Sequence, residues 1–108
     1  MAVNETSDSL LFLQVAENER VILKYNTKDC GEPCARFNPV YKALSEEKKY
    51  KHIIFLVVDA DDNPKAKVKV LEKKQPVITI YYKGKLLDSR HASTKEGVEE
   101  LLEELLKV

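Results

Sequence analysis

The sequence has no tryptophan, one methionine, three glycines and two cysteines. Two cysteines leave no second pair to complete a four-thiol zinc site, and the two histidines, His52 and His91, fall at predicted strand ends far along the chain. No metal is therefore expected. Neither sign of charge is in excess: eighteen Lys+Arg balance eighteen Asp+Glu. That balance argues against a nucleic-acid partner and against general attraction to anionic membranes. Long apolar runs are also missing, the longest, such as 53–58, being far too short to span a bilayer. The opening residues MAVNETSD contain neither a basic segment nor an apolar one, so no secretory leader is read there. The expectation is a cytoplasmic protein, in which the Asn4-Glu5-Thr6 sequon carries no meaning. In that reducing setting a close cysteine pair is catalytic, regulatory or metal-binding rather than a structural staple. No linker, repeat or low-complexity tract interrupts the chain, and 108 residues make one domain, residues 1–108, able to bury roughly two thirds of its unfolded surface.

What is present is an alternation of two hydrophobic periods. A short edge strand around 2–4 precedes a helix carrying Leu10, Leu11 and Leu13, with Ser7 or Asp8 to cap it. Residues 20–25 are apolar and β-rich and run into the polar turn 26–29. From Pro33, the spacing of Phe37, Val40, Tyr41 and Leu44 predicts a helix that Pro39 bends without ending. Residues 53–58 read as a central strand covered on both faces. The turn 59–64 then starts a polar helix through Lys73, with Asn63 as N-cap and Pro64 at the first helical position. Strands at 76–82 and 85–90 flank a Lys83-Gly84 hairpin turn. Ser93-Thr-Lys-Glu96 has capping-box form, and Val98, Leu101, Leu102, Leu105 and Leu106 make one apolar stripe on the last helix. The order β-α-β-α-β-α-β-β-α, with a right-handed central βαβ unit, predicts a mixed sheet with helices on both faces.

The chemistry concentrates in Cys30-Gly31-Glu32-Pro33-Cys34, two thiols four positions apart at the start of a predicted helix. Unpaired N–H groups and the helix dipole at such a terminus favour a thiolate. On an α-helix, positions i and i+4 have α-carbons about 6.2 Å apart, within the disulfide range of roughly 4.4 to 6.8 Å. The spacing therefore permits a dithiol/disulfide pair. The competing reading treats both cysteines as small buried hydrophobes. The acidic run Asp59, Asp61, Asp62 lacks the glycine and distal glutamate of a calcium loop and reads as a solvated turn.

The element order, the dithiol after the second strand, Pro39 in the following helix, the run 58–64, Pro76 before an alternating strand and Tyr82-Lys-Gly-Lys-Leu86 together resemble the thioredoxin family over nearly the whole chain. The resemblance implies an α/β thioredoxin fold, with a central mixed sheet of four to five strands flanked by four helices. It implies that Cys30 attacks a substrate disulfide and Cys34 resolves it, the Cys30–Cys34 disulfide being the redox centre with no other cofactor. Gly31 and Pro33 keep the motif's glycine and proline, with Glu32 as an inserted residue. Gln75-Pro76 is implied to be a cis peptide that presents backbone to the substrate, and Ala92 stands where the family has a groove glycine. The implied partners are disulfide-containing proteins and a reductase that supplies electrons to a monomer.

The departures from the family pattern are specific. Asp29 stands where the family has a tryptophan, which removes part of an apolar docking surface. Lys24 replaces a buried aspartate credited with helping proton transfer at the resolving thiol. A buried lysine sheds its proton or pairs with a carboxylate, so it cannot act as that acid does; Lys24 is read as structural or surface-snorkelling rather than directly catalytic. The carboxylate of Glu32 opposes a thiolate at Cys30, and the methyl of Ala92 crowds a bound peptide. His91 is read as a solvated rim residue. The leading reading is a thiol-disulfide oxidoreductase of thioredoxin type. The alternative is a thioredoxin-fold binding module with a slow or inactive dithiol, and a glutathione-dependent, glutaredoxin-like enzyme stands third.

Overall fold

The computed structural model describes residues 3–27, 31–72, 77–92 and 94–108, without the side chains of 33 and 69–72. Its elements run β1 (Val3–Thr6), α1 (Asp8–Glu17), β2 (Arg20–Asn26), α2 (Glu32–Ser45), β3 (Ile54–Asp59), α3 (Pro64–Glu72), β4 (Val77–Tyr82), β5 (Lys85–His91) and α4 (Lys95–Leu106). Single 3-10 turns at Lys48–Tyr50 and Ala60–Asp62 lie before and after β3. This is the alternation that the two periods predict, and Pro39 lies inside α2 without ending it.

The five strands form one mixed sheet in the order β1-β3-β2-β4-β5. β1 and β2 pair parallel with β3, whereas β4 pairs antiparallel with both β2 and β5. Residues 53–58 thus supply an interior strand, but the middle of the sheet is β2. Side chains alternate along β2. Ile22 joins Phe37, Tyr41, Leu44, Phe55, Ile80 and the α4 stripe in one core cluster. Val21, Leu23 and Tyr25 join Val15, Leu56, Val58 and Val77 in the other. Each face of β2 therefore has its own apolar layer. Tyr41 ties α2 to the parallel pair: its hydroxyl lies 2.7 Å from the Leu56 carbonyl and 3.1 Å from that of Ile22. Burial pushes that phenol's pKa well above its ordinary value.

Lys83 (φ 49°) and Gly84 (φ 84°) are both left-handed, as a two-residue hairpin with primed turn geometry requires. One predicted cap is corrected, and another keeps its position but not its side-chain bond. At α4 the N-cap is Thr94, whose hydroxyl accepts from the Gly97 N–H at 3.1 Å. With the helix beginning one residue later, its third position is Gly97 rather than Glu96, so the reciprocal half of a capping box has no side chain to make it. At α3, Asn63 has the N-cap position, its carbonyl accepting from Lys67 N at 2.9 Å, but its side chain is spent elsewhere. The amide oxygen accepts from Asp8 N at 2.9 Å and the amide nitrogen donates to the Asp59 carbonyl at 2.7 Å. The carboxylate of Asp8 accepts instead from Lys65 N and Ala66 N, at 2.9 and 3.2 Å. The amino-terminal ends of α1 and α3 thus cap each other across the chain. Ser7 caps α1 locally, accepting from Leu10 N. In the predicted α4 stripe Val98, Leu101, Leu102 and Leu105 are buried, and Leu106 is 37% exposed at the helix end.

Asp8→Ala strips α3 of its two carboxylate acceptors while keeping the backbone N–H that donates to Asn63. We expect a loss of about 1–2 kcal/mol, read as a lower urea midpoint at unchanged slope. A midpoint equal to that of the wild type would contradict the reciprocal cap.

Candidate active site

The register brings the predicted site elements to one end of the sheet. Tyr25 near the end of β2 pairs with Val58 near the end of β3 and with Val77 at the start of β4, and Val77 pairs in turn with His91 at the end of β5. The chain leaving β2 re-enters at Gly31, the N-cap of α2, where φ 63° and ψ −134° suit glycine. An ideal Cβ at Gly31 would meet nothing within 4 Å, so the backbone conformation rather than crowding calls for glycine there.

Of the predicted site residues, Cys30, Asp29, Gln75 and Pro76 lie outside the described residues, as do the side chain of Pro33 and the expected cis bond. Cys34 lies in the first turn of α2, is 6% exposed, and its sulfur is disulfide-bonded rather than free. Gly31 at the N-cap has no side chain to cap the α2 terminus, where the first N–H groups and the helix dipole favour an anion. Glu32 is exposed and bonded to Arg36 one turn along, an i,i+4 ion pair. A cation beside it partly offsets the opposition that the sequence assigns to this carboxylate. Ala92 is buried at 6%, and its methyl packs against Gly97 in the first turn of α4, 3.5 Å from where a Cβ on that glycine would lie. His91 is exposed at the end of β5.

Lys24 requires the largest revision. It does not snorkel to the surface: its side chain is fully buried, among the largest such side chains in the protein. Nor, among the described residues, does it pair with a carboxylate. Its ammonium donates to the amide oxygens of Asn26 and Asn38 and lies 5.9 Å from the centre of the Phe37 ring. Burial lowers its pKa from 10.5 to about 8. Neutral amide oxygens replace part of the lost hydration without supplying the counter-charge a buried cation needs. The two asparagines were missed as site residues, yet both are legible by spacing. Asn26 is two positions from Lys24 and so on the same face of β2, and Asn38 is one helical turn beyond Cys34 on α2. Beside the lysine is a cavity of about 300 Å³ lined by Val3, Lys24, Asn38, Tyr41, Lys42 and Val57, among others.

A five-stranded mixed sheet flanked by four helices, with a cysteine in the first turn of the helix that follows β2, matches what the sequence resemblance implies. The thioredoxin family model matches residues 2–106. The chain belongs to the thioredoxin family. It is 30% identical to horse (Equus caballus) thioredoxin over 94 residues, which cover 87% of each protein. Among solved structures, it superposes on thioredoxin from Plasmodium falciparum with a TM-score of 0.80 at 27% identity, covering 94% of this chain and 96% of that one. Thioredoxin from Malassezia sympodialis gives a TM-score of 0.83 at 17% identity, covering 97% and 94%, a likeness of fold. Family and fold together support a thiol-disulfide oxidoreductase type of role. Among the described residues no helix is long and apolar enough to cross a membrane, and no group of three or more His, Cys, Asp or Glu could hold a metal ion.

The depressed pKa of Lys24 has a definite sign in stability. Between about pH 8 and 10.5 the unfolded chain holds a proton on this amine that the folded chain has released, so stability rises with pH across that window. Below pH 8 both states are protonated and the full cost of the buried charge is present, up to about 3 kcal/mol for a shift of this size. Lys24→Met is accordingly expected to be more stable than the wild type in urea at pH 7, with the difference closing toward pH 10.5. A less stable variant at pH 7 with a pH-independent difference would contradict the buried, unpaired cation.

Proposed function

We propose that the protein is a thiol-disulfide oxidoreductase of thioredoxin type that reduces or exchanges disulfides of protein substrates. Cys30 attacks as a thiolate, forming a bond to one substrate sulfur while the substrate disulfide breaks and its other sulfur leaves as a thiolate. Cys34 then attacks Cys30, the mixed disulfide breaks, and the second substrate thiol departs, leaving Cys30 and Cys34 joined. A reductase returns the pair to two thiols, and no further cofactor takes part. Gln75 and Pro76 present backbone to the substrate chain, Gly31 and Pro33 shape the motif around the inserted Glu32, and Asp29 and Ala92 border the docking surface. The reading places a monomer in the cytoplasm, a compartment whose thiol buffers keep such a pair cycling.

One observation carries this reading: Cys34 is buried in the first turn of α2, at the sheet end where β2, β3 and β5 finish and β4 begins. A cysteine that served only as a small core hydrophobe would need neither a place in the first turn of a helix nor a second thiol four residues away.

Reduction of insulin disulfides with dithiothreitol as electron source is the direct assay. The wild type is expected to accelerate it and Cys30→Ser to reduce the rate to the uncatalysed background. Equal rates for the two would leave a thioredoxin-fold binding module with an idle dithiol. Turnover through a glutathione mixed disulfide on Cys30 would identify a glutaredoxin-like enzyme instead.

A further inference from the structure

The cavity of about 300 Å³ between the sheet and α2 has walls that divide by chemistry. Val3 on β1, Val57 on β3 and Tyr41 on α2 form its apolar part. Lys24 and Val57 are neighbours in the parallel register, so the cavity lies over the same row of the sheet as the buried amine. The polar part comes from Lys24, Asn26, Asn38 and Lys42, which are not equivalent. Lys24 has no exposed surface, so a ligand in the cavity does not touch its ammonium. Asn26 is half-buried and Asn38 is exposed, and each turns its amide oxygen toward that ammonium. With the oxygen so used, the other arm of each amide is an NH2 group, which donates and does not accept. Lys42 is exposed and is likewise a donor. The Tyr41 hydroxyl is already committed to the carbonyls of Leu56 and Ile22. The polar wall is therefore a set of donors with a positive charge behind two of them. An amide polarised by a cation at its oxygen donates more strongly than a free one. Such a wall favours a negatively charged acceptor. A second cavity shares Asn26 and Val57 and is lined by Glu5, Asp59, Asp61 and Asp62, of which Asp61 is paired with Lys67. Those carboxylates oppose a dianion more than a monoanion. The volume is at the small end for ligand cavities, which limits the guest to a few heavy atoms.

We propose that this cavity binds a small monocarboxylate with a short apolar chain, its oxygens on the amide N–H groups of Asn26 and Asn38 and on Lys42, its chain against Val3, Val57 and Tyr41. Lys24 is then a fixed positive charge one amide removed from the ligand. Each asparagine links the two, accepting from the ammonium at Oδ1 and donating to the carboxylate from Nδ2. The ligand is held without meeting the buried cation directly. Neither cysteine takes part, so the site stands apart from the oxidoreductase reading.

The experiment titrates the full chain with sodium butyrate at pH 7, with ionic strength held by sodium chloride, and follows the side-chain amide signals of Asn26 and Asn38 and the methyl signals of Val57 by NMR. Saturable shifts of all three residues are expected. Acetate should bind about tenfold more weakly, since each buried methylene is worth up to roughly fourfold, and succinate and phosphate should bind several-fold more weakly than butyrate. Lys24→Met, which is expected to fold at least as stably as the wild type, should weaken butyrate about tenfold by removing the charge behind the amides. Asn38→Asp, which sets a carboxylate against the ammonium and removes a donor, should abolish the saturable shifts. Butyrate should also raise the Lys24 pKa from about 8, because an anion nearby favours the charged amine. Shifts that chloride alone reproduces, acetate or phosphate binding as tightly as butyrate, an affinity unchanged in either variant, or a Lys24 pKa unmoved at saturation would each overturn the proposal.

Discussion

The burial of β2 on both faces is the constraint on which the rest depends. Val21, Ile22, Leu23 and Tyr25 are each 4% exposed or less, so this strand must pair on both edges and be covered on both sides. Parallel pairing with β3 needs a crossover, and the helix that makes it, α2, begins where β2 ends. The apolar stripe of α4 completes that layer, while α1 and α3 close the opposite one through the reciprocal caps of Asp8 and Asn63. The site follows from the same geometry. A middle strand flanked by parallel and antiparallel neighbours brings the finish of β2 and β3, the start of β4 and the finish of β5 to one end, and the α2 terminus lies there with Cys34 in its first turn.

Lys24 is the one residue of β2 that contradicts the constraint. Position for position it belongs to the apolar layer with Ile22, yet it carries a charge there and, among the described residues, donates to neutral amide oxygens. Such an arrangement is costly for stability, and replacing a buried charge by an apolar side chain of similar volume is often neutral or stabilising. The amide oxygens of Asn26 and Asn38 and the ring of Phe37 are what the described residues offer the ammonium in place of a counter-charge.

Most of the fold was legible because hydrophobic period is a local signal that burial enforces. The two-residue hairpin turn, the continuation of α2 through Pro39 and the stripe on α4 all follow from sequence spacing. The caps were less legible, since which carboxylate or amide reaches a helix terminus depends on what lies across the fold: Asp8 is 57 residues from Lys65. Thr94 is the N-cap of α4, although Ser93 is an equally competent residue type and sequence spacing alone does not choose between them. For the site, the cysteine spacing pointed to Cys34, which the structure buries in the first turn of α2. The burial of Lys24 was not evident, because a lysine stem can cover apolar surface with its ammonium in water. Asn38 closing over it from α2 is a tertiary event, although its position one turn after Cys34 was on view.

The most direct test of this account is the reduction potential of the Cys30/Cys34 pair in a glutathione buffer at pH 7. The account predicts that the two cysteines form an intramolecular disulfide that opens and closes reversibly as the buffer is poised. Failure of the protein to form that disulfide would contradict the redox function itself.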